Sequence, residues 1–249
     1  MTAPVLFIGG MDSSGGAGLL RDCATAAEFG VLARVAVTAI TAQTDRAVTA
    51  VQPVAPGVVS AQILAAGQIA AVKIGMLCTA PVVQAVAACL PNAPCILDPV
   101  LRSSSGHDLI DAAGADALLH QLLPNVDLLT PNLPELALLA RLSGCAARHE
   151  AARVEGLFRL GCRAVLVKGG HAAFGKVCED RLYLPGAPPT PFRAPRLKAA
   201  LRGTGCQLAS AIAAQIALGR SLEAAIGGAK QAVQRRFRAA VDQESLPSI

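Results

Sequence analysis

Two glycine-rich turns stand near opposite ends of the 249-residue chain, and both carry groups able to hold an anion. In the first, GGMDSSGGAG from Gly9 to Gly18, five glycines let the backbone take positive φ and approach a ligand closely, while Ser13 and Ser14 add donors. It lacks the GK[ST] ending of a Walker A loop and does not match the GxGxxG dinucleotide fingerprint; the plain alternative is a tight strand-to-helix turn. The second, RGTGCQLASAIAA from Arg202 to Ala214, sets Gly203, Thr204 and Gly205 ahead of an Ala-rich helix. Successive N–H groups would converge there at a helix N-terminus carrying about half a positive charge, a place to stabilise a transferring phosphoryl group. The same field favours the thiolate of Cys206, which would take the proton from a substrate hydroxyl as it attacks phosphorus. The alternative is a small buried cysteine like the other seven.

Three further stretches add polar side chains at strand ends, where ligands of open α/β sheets bind. TPNLPE, Thr130 to Glu135, offers Asn132 and Glu135 as hard oxygen ligands suited to Mg²⁺ or as ordinary caps of the next helix. VLVKGGH, Val165 to His171, offers Lys168 as a point charge for a polyphosphate, or as a solvated lysine, with His171 a loop residue. ILDPV, Ile96 to Val100, leaves Asp98 before a turn-forcing proline, to hold metal, orient water or form an Asx-type turn.

The elements that must position these groups alternate. Short, nearly all-apolar runs read as strands buried on both faces: Val5 to Ile8, Val31 to Thr41, Ala71 to Ile74, Cys95 to Leu97, Val126 to Leu129 and Ala164 to Val167. Between and after them, helices fit at Gly16 to Phe29, Gly57 to Ala66, Ala80 to Leu90, Ala112 to Leu123, Leu133 to Leu142, Ala147 to Leu160, Cys206 to Leu218 and Leu222 to Ala240. Gly175 to Pro195, with five prolines, reads as a hairpin and connecting loop, and Asp242 to Ile249 as a frayed tail. Strand and helix in alternation predict parallel βαβ units. With no long polar linker, repeat or low-complexity tract, residues 1–249 read as a single domain.

Composition narrows the function classes. Apolar residues make up 53% of the chain but aromatics only 3%, with no Trp, so the core must be built from Ala, Val, Leu and Ile. The net charge of +5 is scattered and almost free of interleaved aromatics, which argues against nucleic acid as a partner and suits a phosphate-bearing substrate. The cysteines lack a CxxC pair or zinc spacing, and Cys206 has no resolving cysteine near it, which disfavours structural zinc and thiol redox chemistry. No signal-peptide pattern and no apolar run of membrane length is present, so the cytoplasm is the expected compartment and no membrane is expected.

The order of these motifs, with TAQ at Thr41 to Gln43 and VKIGML at Val72 to Leu77, resembles the hydroxymethylpyrimidine/phosphomethylpyrimidine kinases of thiamine synthesis, from Val5 to about Ala240. The resemblance implies an α/β three-layer αβα sandwich with a mostly parallel central sheet, ribokinase-like, a homodimer, and use of Mg²⁺ and ATP to phosphorylate a 2-methyl-4-aminopyrimidine alcohol and then its monophosphate. It implies that Gly10, Ala17, Gln43, Met76 and Val100 line the pyrimidine site with Asp22 close by. It places the anion hole on Gly203, Thr204 and Gly205, the base on Cys206, Asn132 and Glu135 near Mg²⁺ along with the Asp98 carboxylate, and Lys168 at the ATP phosphates. The chain departs from the family pattern in TAQTDRAV, where Asp45 and Arg46 replace smaller residues, in LRSSSG after LDPV, and in Ala200, Leu201 and Arg202 before the second glycine turn. A basic contact to the nucleotide phosphates is therefore expected from Arg102 or Arg202. A pyridoxal or pyridoxine kinase shares the fold and the GTG turn and is the nearest alternative; a fold-retaining, non-catalytic pyrimidine-binding protein is another.

Overall fold

The computed structural model describes residues 3–103, 106–171, 175–197, 199 and 201–244. Its centre is a nine-stranded sheet. Along the chain run β1 (Val5–Asp12), α1 (Gly18–Glu28), β2 (Ala33–Gln43), β3 (Val48–Pro53), α2 (Pro56–Ala65), β4 (Ala71–Ile74), α3 (Ala80–Cys89) and β5 (Cys95–Leu97). Then follow α4 (Ala112–Ala117), β6 (Leu128–Leu129), α5 (Leu133–Leu142), α6 (Glu150–Arg159), β7 (Val165–Val167), β8 (Val177–Tyr183), β9 (Thr190–Pro195), α7 (Thr204–Ala217) and α8 (Leu222–Glu244). The strand order is β3-β2-β1-β4-β5-β6-β7-β8-β9. The six inner strands run parallel, and β3, β8 and β9 join antiparallel at the two edges.

The period-2 alternation of a strand sorts its side chains to two opposite faces. From β1, Leu6 and Ile8 enter one core with α2, α3, α5 and α6, through residues such as Val59, Val83, Leu136 and Leu157. Val5 and Phe7 enter the other, with α1, α7 and α8, through Leu19, Ala26, Ile212 and Ile226. These are the three layers expected of an αβα sandwich. The inner strands β4 to β7 are short and apolar because neither face meets water, with the one exception of Lys73 in β4.

Several boundaries differ from expectation. The edge strand β3 was not foreseen, because VTAVQP alternates exposed and half-buried positions and includes a proline. The helix expected over Ala112 to Leu123 relaxes after Ala117 into a π turn at Leu118–Leu122, which keeps Leu118, Leu119 and Leu122 buried, and tightens to a 3₁₀ turn at Pro124. Residues 242–244, expected in a frayed tail, extend α8; residues 245–249 of that tail, like Ala200, lie outside the described residues. The β8–β9 hairpin lies where the proline-rich segment suggested one.

Candidate active site

Strand order reverses at β1, which has β2 on one side and β4 on the other. Open α/β sheets bind ligands beyond the carboxyl ends of the strands at such a point. A cavity of about 70 Å³ lies there, room for one small ring. Gly10, Ala17, Asp22, Gln43, Met76 and Val100 all line it, and so does Cys206. Asp12, Thr41 and Lys73 line it too, although sequence alone had not singled them out.

Asp12 folds the first glycine-rich turn. Its Oδ1 accepts from Ser14 N–H at 2.9 Å and Ser14 Oγ at 2.8 Å, and its Oδ2 from Ala17 N–H at 3.0 Å. A carboxylate opening a Ser/Gly turn is the signal that would have found it. Gln43 is held from both sides: its backbone N–H donates to Ser13 Oγ at 2.9 Å and its side-chain oxygen accepts from Thr41 Oγ1 at 3.2 Å. The amide NH₂ of Gln43 is then its side-chain group left for a ligand's acceptor edge.

Asp22 and Lys73 form an ion pair at 2.9 Å, each side chain 1% exposed, and Ser210 Oγ on α7 donates to Asp22 Oδ1 at 2.7 Å. Burial works against the ammonium, but Asp22, with the further negative potential of Cys206 and Asp98, holds Lys73 above its usual range. A lysine in an otherwise apolar strand buried on both faces demands such a partner, and that was its sequence signal.

Cys206 is the third residue of α7, which starts at Thr204 rather than at Cys206 as expected. Thr204, Gly205 and Cys206 therefore supply first-turn N–H groups that no helical carbonyl can satisfy. Gly203 caps them at φ 69°, in the left-handed region, and a side chain there would collide with the Gly16 carbonyl of the other glycine turn. The expectation that this helix end favours the thiolate is corrected by its surroundings. Burial pushes the Cys206 thiol up to about 11, with Asp22 and Asp98 adding to the rise and Lys73 and the Gly18 backbone opposing it. Alkylation of the Cys206 peptide by iodoacetamide should accordingly quicken roughly tenfold per pH unit from about pH 7.5 to about 9.5. A rate that levels off below pH 8 would mean a stabilised thiolate instead.

A second cluster faces Gly205. Lys168 Nζ donates to Asp98 Oδ1 at 2.6 Å and lies 3.7 Å from Glu135 Oε2, and a side chain at Gly205 would come within 3.2 Å of that ammonium. Thr130 Oγ1 donates to Asp98 Oδ1 at 3.3 Å. Lys168 is thus neither solvated nor free, and Asp98 and Glu135 keep its ammonium above the usual range although burial opposes them. Asn132 and Glu135 make a full capping box: Asn132 Oδ1 accepts from Glu135 N–H at 2.9 Å, and Glu135 Oε2 accepts from Asn132 N–H at 2.7 Å. Burial raises the Glu135 carboxyl, against the pull of Lys168. Two carboxylates against one ammonium leave this cluster short of positive charge, and the donors are hard oxygens, so the set fits a Mg²⁺ that keeps its waters and is shared with phosphates. Among the described residues no group of three or more His, Cys, Asp or Glu converges as a self-sufficient metal cage.

The two arginines expected at phosphate both have carboxylate partners. Arg102 pairs with Asp108 on an exposed loop. Arg202 bonds Asp12, Ser14, Thr44 and Asp45.

This chain is similar to known proteins along nearly its whole length. The family profile described as phosphomethylpyrimidine kinase matches residues 12–246. A hydroxymethylpyrimidine/phosphomethylpyrimidine kinase of Rhizobium meliloti is 40% identical over 96% of this chain and 92% of its own. Among solved structures, the phosphomethylpyrimidine kinase of Clostridium difficile superposes with a TM-score of 0.77 at 30% identity, covering 94% of this chain and 99% of that one. The pyridoxal kinase of Staphylococcus aureus, in complex with AMP-PCP and pyridoxal, gives 0.82 at 28% identity over 94% and 87%.

Proposed function

The chain belongs to the phosphomethylpyrimidine kinase family, and from that premise we propose that its pocket binds 4-amino-5-hydroxymethyl-2-methylpyrimidine and that the enzyme phosphorylates it, and then its monophosphate, with ATP, in thiamine synthesis. The observation that carries this reading is the cavity itself. Six candidate substrate residues, Gly10, Ala17, Asp22, Gln43, Met76 and Val100, share it with Cys206, the third residue of an anion-binding helix end. Gln43 offers its amide to the ring's nitrogen and amino edges with Asp22 close by, while Met76 and Val100 supply apolar walls.

In the mechanism, the N–H groups around Gly203, Thr204 and Gly205 stabilise the charge on the transferring phosphoryl group, and the Cys206 thiol faces the substrate hydroxyl. The base is the thiolate form of Cys206, a minor fraction at neutral pH for a thiol raised to about 11; it takes the hydroxyl proton and becomes the thiol as the oxygen bonds phosphorus, and the loose transition state does not require that proton to leave first. Lys168 meets the ATP phosphates, with Asn132 shaping the same strand end. Mg²⁺ brought with ATP would be held by Glu135 and Asp98 and would neutralise phosphate charge. Residues 1–249 are taken as one domain, and the family resemblance carries with it a homodimer and a cytoplasmic location; among the described residues no helix is long and apolar enough to cross a membrane.

The pyridoxal kinase likeness makes the second reading specific. Purified protein with Mg·ATP should phosphorylate the hydroxymethylpyrimidine with a kcat/KM at least about tenfold above that for pyridoxal, the discrimination that a few matched polar contacts supply. The reverse preference would assign it to the pyridoxal side.

A further inference from the structure

Arg202 lies beside the pocket, bonded to Asp12 of its lining, and is held by groups from two other segments. Its Nη1 donates to Ser14 Oγ at 2.8 Å, to the Thr44 carbonyl at 3.1 Å and to Asp45 Oδ1 at 3.0 Å, and its Nη2 donates to Asp12 Oδ2 at 3.1 Å. Arg236 donates to the Arg202 carbonyl at 2.9 Å and so steadies the backbone just before Gly203. The two carboxylates are unequal partners. Asp12 is 5% exposed and occupied in folding its turn, whereas Asp45 is 85% exposed on the loop between β2 and β3. An ion pair with so exposed a carboxylate is weak. A phosphate dianion offers a guanidinium two short, charge-assisted bonds at once.

We propose that Arg202 determines specificity for the phosphorylated substrate: its guanidinium exchanges Asp45 for the phosphate of the pyrimidine monophosphate. The inference rests on the pyrimidine kinase reading and adds which group admits an anionic substrate. The alcohol enters uncharged and needs no such partner. The monophosphate brings up to two negative charges to a pocket lined by Asp12, whose partner Arg202 also holds Asp45. The neighbouring lysines are committed, Lys73 to Asp22 and Lys168 to Asp98 and Glu135. Arg202 adjoins the anion-binding turn at Gly203, and the bond it would give up is its most exposed one.

The test is steady-state kinetics of the full chain with Mg·ATP on hydroxymethylpyrimidine and, separately, on its synthetic monophosphate. Asp45→Ala should raise kcat/KM for the monophosphate about three- to tenfold and leave that for the alcohol within about twofold. Arg202→Ala should lower the ratio of monophosphate to alcohol kcat/KM by about 30-fold, and Arg202→Lys by less, with the KM for ATP unmoved. Equal losses on both substrates, or a matching rise in the KM for ATP, would overturn the proposal in favour of a purely structural strap or a nucleotide contact. Should Arg202→Ala fail to fold, Asp45→Ala decides, and an unchanged ratio refutes the exchange. A wild-type enzyme active on the alcohol but inert on the monophosphate sinks this inference alone; one active on neither sinks the pyrimidine reading with it.

Discussion

Replacing Cys206 with alanine should lower turnover by about two to four orders of magnitude, the range of a lost general base, while the pyrimidine Kd shifts by less than about threefold. The split follows from position. Cys206 stands at the third residue of α7, beside first-turn N–H groups that the substitution leaves in place, so the anion-binding end of the helix survives and only the thiol is removed. Alanine also has good helix propensity, and the site lies in a partly buried first turn, so the fold should tolerate it. Isothermal titration with the pyrimidine and single-turnover assays would separate binding from chemistry. Unchanged turnover would reject the base assignment and shift attention to the two carboxylates lining the cavity, Asp12 and Asp22.

Lys73→Met should destabilise the fold by about 3–5 kcal/mol, because it leaves the Asp22 carboxylate buried without its counter-ion. Ser210 alone would then face a charge that 1% exposure denies to water. Adding Asp22→Asn to that variant should recover most of the loss, since an amide can still accept from Ser210 and no charge remains to be solvated. Urea denaturation measures both; a single-variant cost below about 1 kcal/mol would show that the pair is hydrated or loosely held. The pH dependence has a definite sign. Asp22 holds Lys73 above its ordinary range, so the contribution of the ammonium is fully present below about pH 10 and drains away only as pH rises past the folded-state value. Asp22, already raised by burial, rises further once Lys73 is gone, so Lys73→Met should lose stability relative to wild type as pH climbs and this carboxyl gives up its proton, and the gap should be smallest at acid pH.

The parts of the fold legible in the sequence were those under a single dominant force. β5 was found to the residue because a strand covered on both sides is driven to be apolar, β4 likewise in spite of Lys73, and α5 because its capping box and leucine spacing mark both ends. β3 was invisible for the opposite reason, since an edge strand half open to water keeps no strong pattern. Within the site, turns announced themselves by glycine, but the charges that brace them did not. Lys73 hid inside a motif read for its apolar neighbours, and Asp12 inside one read for its glycines. Their roles depend on partners far along the chain, and spacing cannot express such pairings. The same holds for Arg202, whose guanidinium direction was decided by Asp12 and Asp45 rather than by its adjacency to Gly203.

Arg202 bonds Asp12 across 190 positions and Ser210 bonds Asp22 across 188, because α7 packs on α1 from the far end of the sequence. This sets an order of events during synthesis. A ribosome adding about 5–20 residues per second would complete the N-terminal half of the pocket many seconds before α7 leaves the exit tunnel. Until then, Val5, Phe7 and Ala71 on that face of the sheet await a cover drawn largely from α7 and α8. A nascent or truncated chain ending before Cys206 would carry the proposed ring-binding wall yet lack the proposed phosphate-binding one, and would expose an apolar sheet face to every chaperone in reach. On the proposed reading, catalytic competence therefore arrives in one step, once α7 has been made, and a chain that stops short of it has none.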